Sequence, residues 1–204
     1  MKNTVICIGR QYGSGGREIG EKLAQKLGIV CYDKLLISEA AKEAGLSPDT
    51  VKAEEEKPIG LGELTSGNPF ADLAAIGTNF YSMKQRVFEA ESGAILKIGG
   101  QGPCVIIGRC ASSVLRGAGY SVLSVFVYAD LDTRIRRIAG RNGIDEKEAR
   151  RQAEQVDRMR KKYFDFYSDT PWGNITSYDL MISSAFCGID GAVDVIAQAV
   201  LSRV

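Results

Sequence analysis

The chain has 204 residues, of which 45% are hydrophobic and 25% are charged, proportions that are ordinary for a globular protein with one core. The formal net charge of +1 gives no global reason to expect nucleic acid or a membrane as a partner. Histidine is absent, which excludes imidazole bases, imidazole metal ligands and every triad built on histidine.

The expected location is the cytoplasm. The first residues lead directly into a strand-like run and do not resemble a secretion signal, and no apolar stretch approaches the length of a membrane span. The five cysteines lack the paired spacing of a metal site and are expected to be buried, reduced thiols. They are Cys7, Cys31, Cys104, Cys110 and Cys187.

The N-terminal segment predicts a strand, a glycine loop and a helix. Residues 3–9 form an apolar, β-branched run, a glycine cluster follows, and Ile19, Leu23 and Leu27 recur at helical spacing. Backbone amides in a glycine loop and the first turn of the following helix both attract anions. The residues of this predicted phosphate cradle are Gly13, Ser14, Gly15 and Gly16.

The loop departs from the standard P-loop motif G-x-x-x-x-G-K-[ST]. Gly16 stands at the lysine position, and Glu18 stands where the metal-binding hydroxyl is expected. Two interpretations remain open. The loop is either a phosphate cradle with altered chemistry, which we favour, or only a tight turn between a strand and a helix.

Further apolar runs alternate with helical patterns and predict a parallel α/β architecture in a single domain over residues 1–204. The later strands are expected at residues 29–32, 104–108, 121–128 and 180–183. Helices are expected at 33–44, 72–98, 109–115, 145–163 and 190–201, with a small acidic helix over 47–56. Residues 45–71 form a predicted mobile insertion over a site, with an inert loop as the alternative.

Two charged residues directly follow predicted strands, at the edge where open α/β sheets bind ligands. Asp33 follows the second strand and could orient a substrate, cap the next helix, or do both. Arg109 follows the third strand and could fork onto a substrate phosphate or form a surface ion pair. We favour the functional interpretation for Arg109.

A basic segment spans residues 131–163, which contain eleven Lys or Arg and six Asp or Glu. The excess is consistent with a lid that closes on a polyphosphate. The arginines considered for it are Arg134, Arg137, Arg141, Arg158 and Arg160. The alternative is a solvated helical surface with weak Arg–Glu pairs.

Together, the loop at 13–16, Asp33, Gly108-Arg109 and the basic segment resemble the cytidylate kinase-like branch of the nucleoside monophosphate kinases. Trp172-Gly173 and Tyr178-Asp179-Leu180 also resemble this branch. The resemblance implies a three-layer P-loop NTPase fold with a five-stranded parallel sheet, helices on both faces and an arginine-rich helical lid. It implies phosphoryl transfer from ATP to a nucleoside monophosphate or another small acceptor, with Mg²⁺.

The resemblance also implies roles for particular residues. Gly13, Ser14, Gly15 and Gly16 would wrap the donor phosphates, Arg17 would supply the lost positive charge, and Glu18 would bind a metal or pair with Arg17. Asp33 and Arg109 would face the acceptor. The lid candidates are Arg137, Arg141, Arg158 and Arg160.

The chain departs from authentic cytidylate kinases, which carry Asp-Gly-Arg-Asp after the third strand, where this chain has Ile107 and Cys110 around Gly108-Arg109. The departures favour a rival hypothesis, a nucleotide-binding regulator that is catalytically weak or inactive. A structural interaction protein is a third possibility. The helix predicted over 72–98 could dock a second copy in a homodimer, or it could complete the core.

Overall fold

The structure, a computed structural model, describes residues 4–33, 36 and 69–202, with the backbone alone described over 69–83. The chain divides into two compact units, one formed by residues 1–33 and 96–204 and the other by residues 34–95. The single domain stays a prediction. Apart from residues 33 and 36, the helix predicted at 33–44 lies outside the described residues, as do the helix predicted at 47–56 and nearly all of the 45–71 insertion.

The sheet has five parallel strands in the order β2-β3-β1-β4-β5, and six α-helices connect or flank the strands in the described chain. The strands are β1 (Val5–Arg10), β2 (Val30–Tyr32), β3 (Cys104–Ile107), β4 (Val122–Tyr128) and β5 (Leu180–Ser183). The helices are α1 (Gly16–Leu27), α2 (Pro69–Gly100), α3 (Ala111–Gly117), α4 (Leu131–Asn142), α5 (Glu146–Tyr167) and α6 (Ser184–Leu201). The predicted α/β class with a five-stranded parallel sheet is confirmed.

Helices α1 and α6 cover one face of the sheet. Ile6 and Ile8 of β1 alternate toward this face and are buried in one cluster with Leu23 of α1 and Ile196 of α6. The apolar runs form strands because both faces of a parallel sheet are covered, so alternation with polar residues is not needed. The cluster fixes α1, and therefore the loop before it, against the carboxyl edge of the sheet.

An aromatic cluster lies on the opposite face of β4. The ring of Phe126 lies 5.2 Å from that of Trp172 in an edge-to-face arrangement and 4.8 Å from that of Tyr178. Phe164 near the end of α5 lies 6.1 Å from Tyr178. The only tryptophan of the chain therefore serves packing, and it ties the loop before β5 to the sheet.

Helix α6 begins six residues earlier than the sequence predicts. Gly188 has φ 69° and ψ 177°, a non-helical conformation that divides a first turn, capped by Ser183, from the longer amphipathic part. By length and composition, α6 is the one helix among the described residues that could cross a membrane, which corrects the expectation that no stretch approaches that length. Its residues Val193, Ile196 and Val200 are buried in the core, and core helices of soluble proteins pass the same test.

Candidate functional site

The glycine loop joins β1 to α1 at the carboxyl edge of the sheet. Gly13 and Gly15 both have φ 79°, a left-handed conformation, and Gly15 directly precedes the first residue of α1. A Cβ on Gly13 would lie 2.8 Å from the carbonyl oxygen of Arg134, and one on Gly15 would lie 2.4 Å from Cδ1 of Ile189. Backbone conformation and packing both require glycine here.

Several loop amides are available to a ligand. Within the described residues, the N–H groups of Gly13, Gly15 and Gly16 donate no hydrogen bond. The Ser14 hydroxyl and amide both donate to the Gln11 carbonyl oxygen, at 2.8 and 3.3 Å, and so brace the bend. Free amides beside a helix N-terminus are the chemistry of an anion cradle, which favours the cradle over the simple turn.

A buried ion pair holds the start of the loop. Asp157 of α5 accepts the Tyr12 amide at 2.7 Å and the Arg134 guanidinium at 2.6 Å. The same guanidinium donates to the Tyr12 carbonyl oxygen at 3.2 Å. Burial raises the pKa of Asp157, although Tyr12 N–H, Arg134 and Arg160 act against that shift. Arg134 is therefore committed to the loop backbone.

Arg137 of α4 holds the other end of the loop. Its Nη1 donates to the Ser14 carbonyl oxygen at 3.1 Å and to the Ser184 hydroxyl at 2.9 Å. The Ser184 hydroxyl in turn donates to the Ser14 carbonyl oxygen at 2.5 Å. In this structure Arg137 positions the loop, and its role on a ligand phosphate stays a prediction.

Tyr12 lies between two guanidinium groups. The guanidinium carbon of Arg141 lies 5.1 Å from the ring centroid and that of Arg160 lies 5.6 Å from it, both within cation–π range. Arg141 also donates to the Tyr12 hydroxyl at 2.8 Å, and Arg160 donates to the Arg10 carbonyl oxygen at 3.0 Å. Burial lowers the pKa of Arg160. Arg158, by contrast, is exposed.

A second group of charges lies where β1, β2 and β3 end. Asp33 Oδ1 lies 4.0 Å from Nη2 of Arg10, and Asp33 Oδ2 lies 3.3 Å from Nε of Arg17. Arg109 and Arg160 also act electrostatically on the Arg10 guanidinium. The structure therefore brings Asp33, Arg17, Arg109 and Arg160, all predicted from the sequence, into one electropositive cluster around Arg10.

Arg109 and Cys110 adopt strained backbone conformations. Their φ angles of 62° and 51° are left-handed, which costs free energy for residues other than glycine. These two residues turn the chain from β3 into α3. Strain of this kind persists only where the surrounding structure holds the backbone in place. Here the surrounding structure holds the backbone of Arg109 at the carboxyl edge of the sheet.

Glu18 and the metal expectation fit the structure less well. The Glu18 carboxylate is exposed and lies 3.4 Å from Lys22 Nζ, which also contacts Asp190 at 2.8 Å. No group of three or more Asp, Glu, Cys or His side chains in the described ranges could hold a metal ion. The described side chains therefore do not build a metal cage by themselves. In phosphate-transfer sites Mg²⁺ is usually held by one or two carboxylates together with substrate phosphates.

Helices α4 and α5 pack into a hairpin that contains the predicted lid, residues 131–163. Ile135 and Ile138 of α4 are buried against Ala149 and Ala153 of α5. Some of the basic residues form ion pairs at the surface. Arg151 lies 2.6 Å from Glu148, and Arg150 lies 3.5 Å from Asp132. Closure of the hairpin on a ligand stays a prediction.

Sequence reasoning missed Arg10, Asp157 and Ser184. Arg10 ends β1 and lies outside the glycine cluster that carries the anion-binding pattern. Asp157 and Ser184 lie 145 and 170 residues from the loop atoms that they contact, so no local pattern points to them.

A parallel sheet with a glycine loop between β1 and α1 is the architecture of the P-loop fold, and solved structures share it. The solved structure of an uncharacterised protein from Eubacterium ventriosum matches with a TM-score of 0.74 and 29% identity, covering 98% of this chain and 99% of that one. Shikimate kinase from Bacteroides thetaiotaomicron matches with a TM-score of 0.55 and 13% identity, covering 97% and 98%. At that identity the likeness supports the fold alone.

The sequence comparisons define the family. The model of the cytidylate kinase-like family matches residues 5–185. A cytidylate kinase from Archaeoglobus fulgidus is 34% identical over 196 residues, covering 96% of this chain and 93% of its own. One from Methanopyrus kandleri is 26% identical over 200 residues, covering 97% and 93%. The chain belongs to the cytidylate kinase-like family, as its sequence motifs predicted.

Proposed function

We propose that this chain is an ATP-dependent phosphotransferase that moves a phosphoryl group to a nucleoside monophosphate or another small phosphorylated acceptor. Family and fold support a kinase. The observation that carries the proposal is the pairing of free loop amides at Gly13, Gly15 and Gly16 with the arginine cluster at the neighbouring strand ends. Phosphoryl transfer depends mostly on such positioning and charge stabilisation.

The donor side is the loop. The free amides of Gly13, Gly15 and Gly16 and the positive end of α1 would bind the donor phosphates, with Ser14 shaping the bend. Arg17 is half-exposed and paired with Glu21 at 3.0 Å, so it would add charge at the margin of this site. Mg²⁺ would be held mainly by the substrate phosphates, which suits described residues that form no metal cage of their own.

The acceptor side is the edge formed by β2 and β3. Asp33 would orient the acceptor, and Arg109 would bind its phosphate with parallel hydrogen bonds. An acceptor phosphate has a second pKa of about 6, so at pH 7 its oxygen is already an anion and needs no base. That oxygen attacks the terminal phosphorus of ATP, the bond between this phosphorus and the bridging oxygen breaks, and ADP leaves. A histidine-free chain can support this reaction.

The lid arginines would neutralise the migrating group. Arg160 already lies beside the loop, Arg137 and Arg141 approach it from α4, and exposed Arg158 would have to move to take part. Closure is tested by limited trypsin digestion. We expect slower cleavage within residues 131–163 when ATP is added, and an unchanged rate would count against a lid.

The test of the proposed function is a thermal-shift screen of nucleotides with and without Mg²⁺, followed by a phosphotransfer assay on a panel of nucleoside monophosphates. We expect ATP to raise the unfolding temperature by mass action and one acceptor to convert ATP to ADP. Binding without transfer to any acceptor would replace the enzyme by the second candidate, a nucleotide-binding regulator. Absence of any nucleotide binding would overturn both.

Gly16 at the lysine position is the observation that favours the regulator. Loss of one well-placed electrostatic donor costs about 3 kcal/mol of transition-state stabilisation, a hundredfold or more in rate. Whether the chain turns over at a useful rate therefore depends on a replacement for that lysine.

A further inference from the structure

Arg10 crosses the carboxyl edge of the sheet through space left by two glycines. A Cβ on Gly16 would lie 2.6 Å from Cβ of Arg10, and a Cβ on Gly108 would lie 2.3 Å from Nη1 of Arg10. Contacts this short are not tolerated, so neither position accepts a side chain while Arg10 keeps this course. The side chain runs from the end of β1, past the start of α1, to the end of β3.

The position of Arg10 in the motif is informative. When G-x-x-x-x-G-K is counted back from Gly16 at the lysine position, Arg10 occupies the first glycine. The chain thus has a cation at the first position and glycine at the seventh, the reverse of the standard motif. Because the two Cβ positions lie only 2.6 Å apart, one residue must be glycine when the other carries a side chain. The two departures are therefore one coupled exchange.

The charge of Arg10 is poorly compensated. Its guanidinium makes no hydrogen bond to any residue in the described part of the chain, and the side chain is 18% exposed. The Asp33 carboxylate is 4.0 Å away, while Arg160, Arg109 and Arg17 add positive charge. Burial and these arginines lower the pKa of Arg10 to about 9, so the group remains protonated at pH 7. A desolvated cation among cations is stabilised by a bound anion.

We propose that Arg10 binds the terminal phosphates of the donor nucleoside triphosphate and so replaces the lysine that the loop lacks at Gly16. The inference rests on the proposed function and deepens it. A guanidinium can donate parallel hydrogen bonds to two phosphate oxygens. The long Arg10 side chain would therefore bind the phosphates from the end of β1, whereas the standard lysine binds them from the loop. Arg17, to which the family resemblance assigned the lost positive charge, is instead half-exposed and paired with Glu21 and Asp33.

The first experiment compares the affinities of wild type, Arg10→Met and Arg10→Lys for ATP and AMP by isothermal titration calorimetry. We expect Arg10→Met to bind ATP about 10- to 100-fold more weakly, with AMP affinity unchanged and Arg10→Lys intermediate. Arg116→Met, at an exposed arginine far from the loop in sequence, is the matched control and should match wild type. Unfolding temperatures without ligand confirm that each variant is folded.

Equal ATP affinity of Arg10→Met and wild type would overturn the inference and leave the proposed function intact. A wild type that binds no nucleotide would overturn the proposed function, and this inference with it. An equal loss of ATP and AMP affinity would also overturn the inference, because it would show a general disturbance of the site and not a contact with the terminal phosphates.

The second experiment moves the cation to its standard position. Gly16→Lys alone should lower the unfolding temperature because its side chain meets Arg10. Arg10→Gly alone should lose ATP affinity as Arg10→Met does. The double variant Arg10→Gly with Gly16→Lys removes the contact with Arg10, leaves a milder one of 3.2 Å with Cβ of Val127 and restores one cation, so we expect ATP affinity within about tenfold of wild type. A folded double variant that binds ATP no better than Arg10→Gly would overturn the coupled exchange.

Discussion

The two sides of the glycine loop use arginine in opposite ways. Facing α4 and α5, Arg134 and Arg137 bind backbone carbonyls, a buried carboxylate and a hydroxyl. At the ends of β1 and β3, Arg10 and Arg109 lie in a cluster with more guanidinium groups than carboxylates. The contacts of the first side hold the loop, and we propose that the positive charge of the second side binds a ligand.

The difference teaches that the partner of an arginine, not its position in a basic segment, decides its role. A guanidinium that donates to a buried carboxylate and a carbonyl has its hydrogen bonds satisfied. Its removal leaves the buried carboxylate without an ionic partner. A guanidinium among other guanidiniums destabilises the fold slightly and attracts anions. Substitutions on the two sides should therefore separate stability from binding.

The largest effect is expected for Arg134→Met. The variant leaves the Asp157 carboxylate buried with its main ionic partner removed, and we expect a loss of about 3–5 kcal/mol in the free energy of unfolding. Urea denaturation measures it, with exposed Arg136→Met as a control that should change by less than about 0.5 kcal/mol. Equal stability of the two variants would show that Arg134 does not stabilise the fold and would contradict the contrast between the two sides of the loop.

Arg109→Ala should do the reverse. We expect nucleotide or acceptor affinity to fall about 10- to 100-fold, because a charge-assisted contact is lost, while the free energy of unfolding stays within about 1 kcal/mol of wild type. Calorimetric titration and urea denaturation of the same sample supply both numbers. Unchanged affinity would remove Arg109 from the site.

Ser184→Ala should have a moderate effect on stability. Its hydroxyl joins the Arg137 guanidinium to the Ser14 carbonyl oxygen in the core, and we expect a loss of about 1–2 kcal/mol in the free energy of unfolding. Exposed Ser202→Ala is the control and should be nearly neutral. If Ser184→Ala were equally neutral, Arg137 would hold the loop without it.

The smallest effect is expected for Arg17→Ala. The side chain is 48% exposed and paired with Glu21 and Asp33, so solvent screens its contribution to a bound anion. We expect ATP affinity to fall by no more than about fivefold, measured by the same titration. A loss as large as that of Arg10→Met would assign the missing lysine's role to Arg17.

The fold was largely predictable because its signals are local. Strands β1, β3 and β4 are runs of β-branched residues that a parallel sheet buries on both faces, and a glycine cluster separates β1 from α1. The start of α6 was placed too late because Gly188 interrupts the helical pattern in the sequence. The backbone passes through that glycine and keeps a helical turn on each side.

The sequence alone determined the architecture, the family and a phosphate-type loop without its lysine, since each is written in neighbouring residues. Tertiary structure alone decided which arginines hold the loop and which lie together at the strand ends. Asp157 reaches Tyr12 from 145 residues away, and Arg10 passes Gly16 and reaches Gly108 only because β1 and β3 end at one edge. The physical reason is that charge compensation depends on distance in space, which the order of residues does not record.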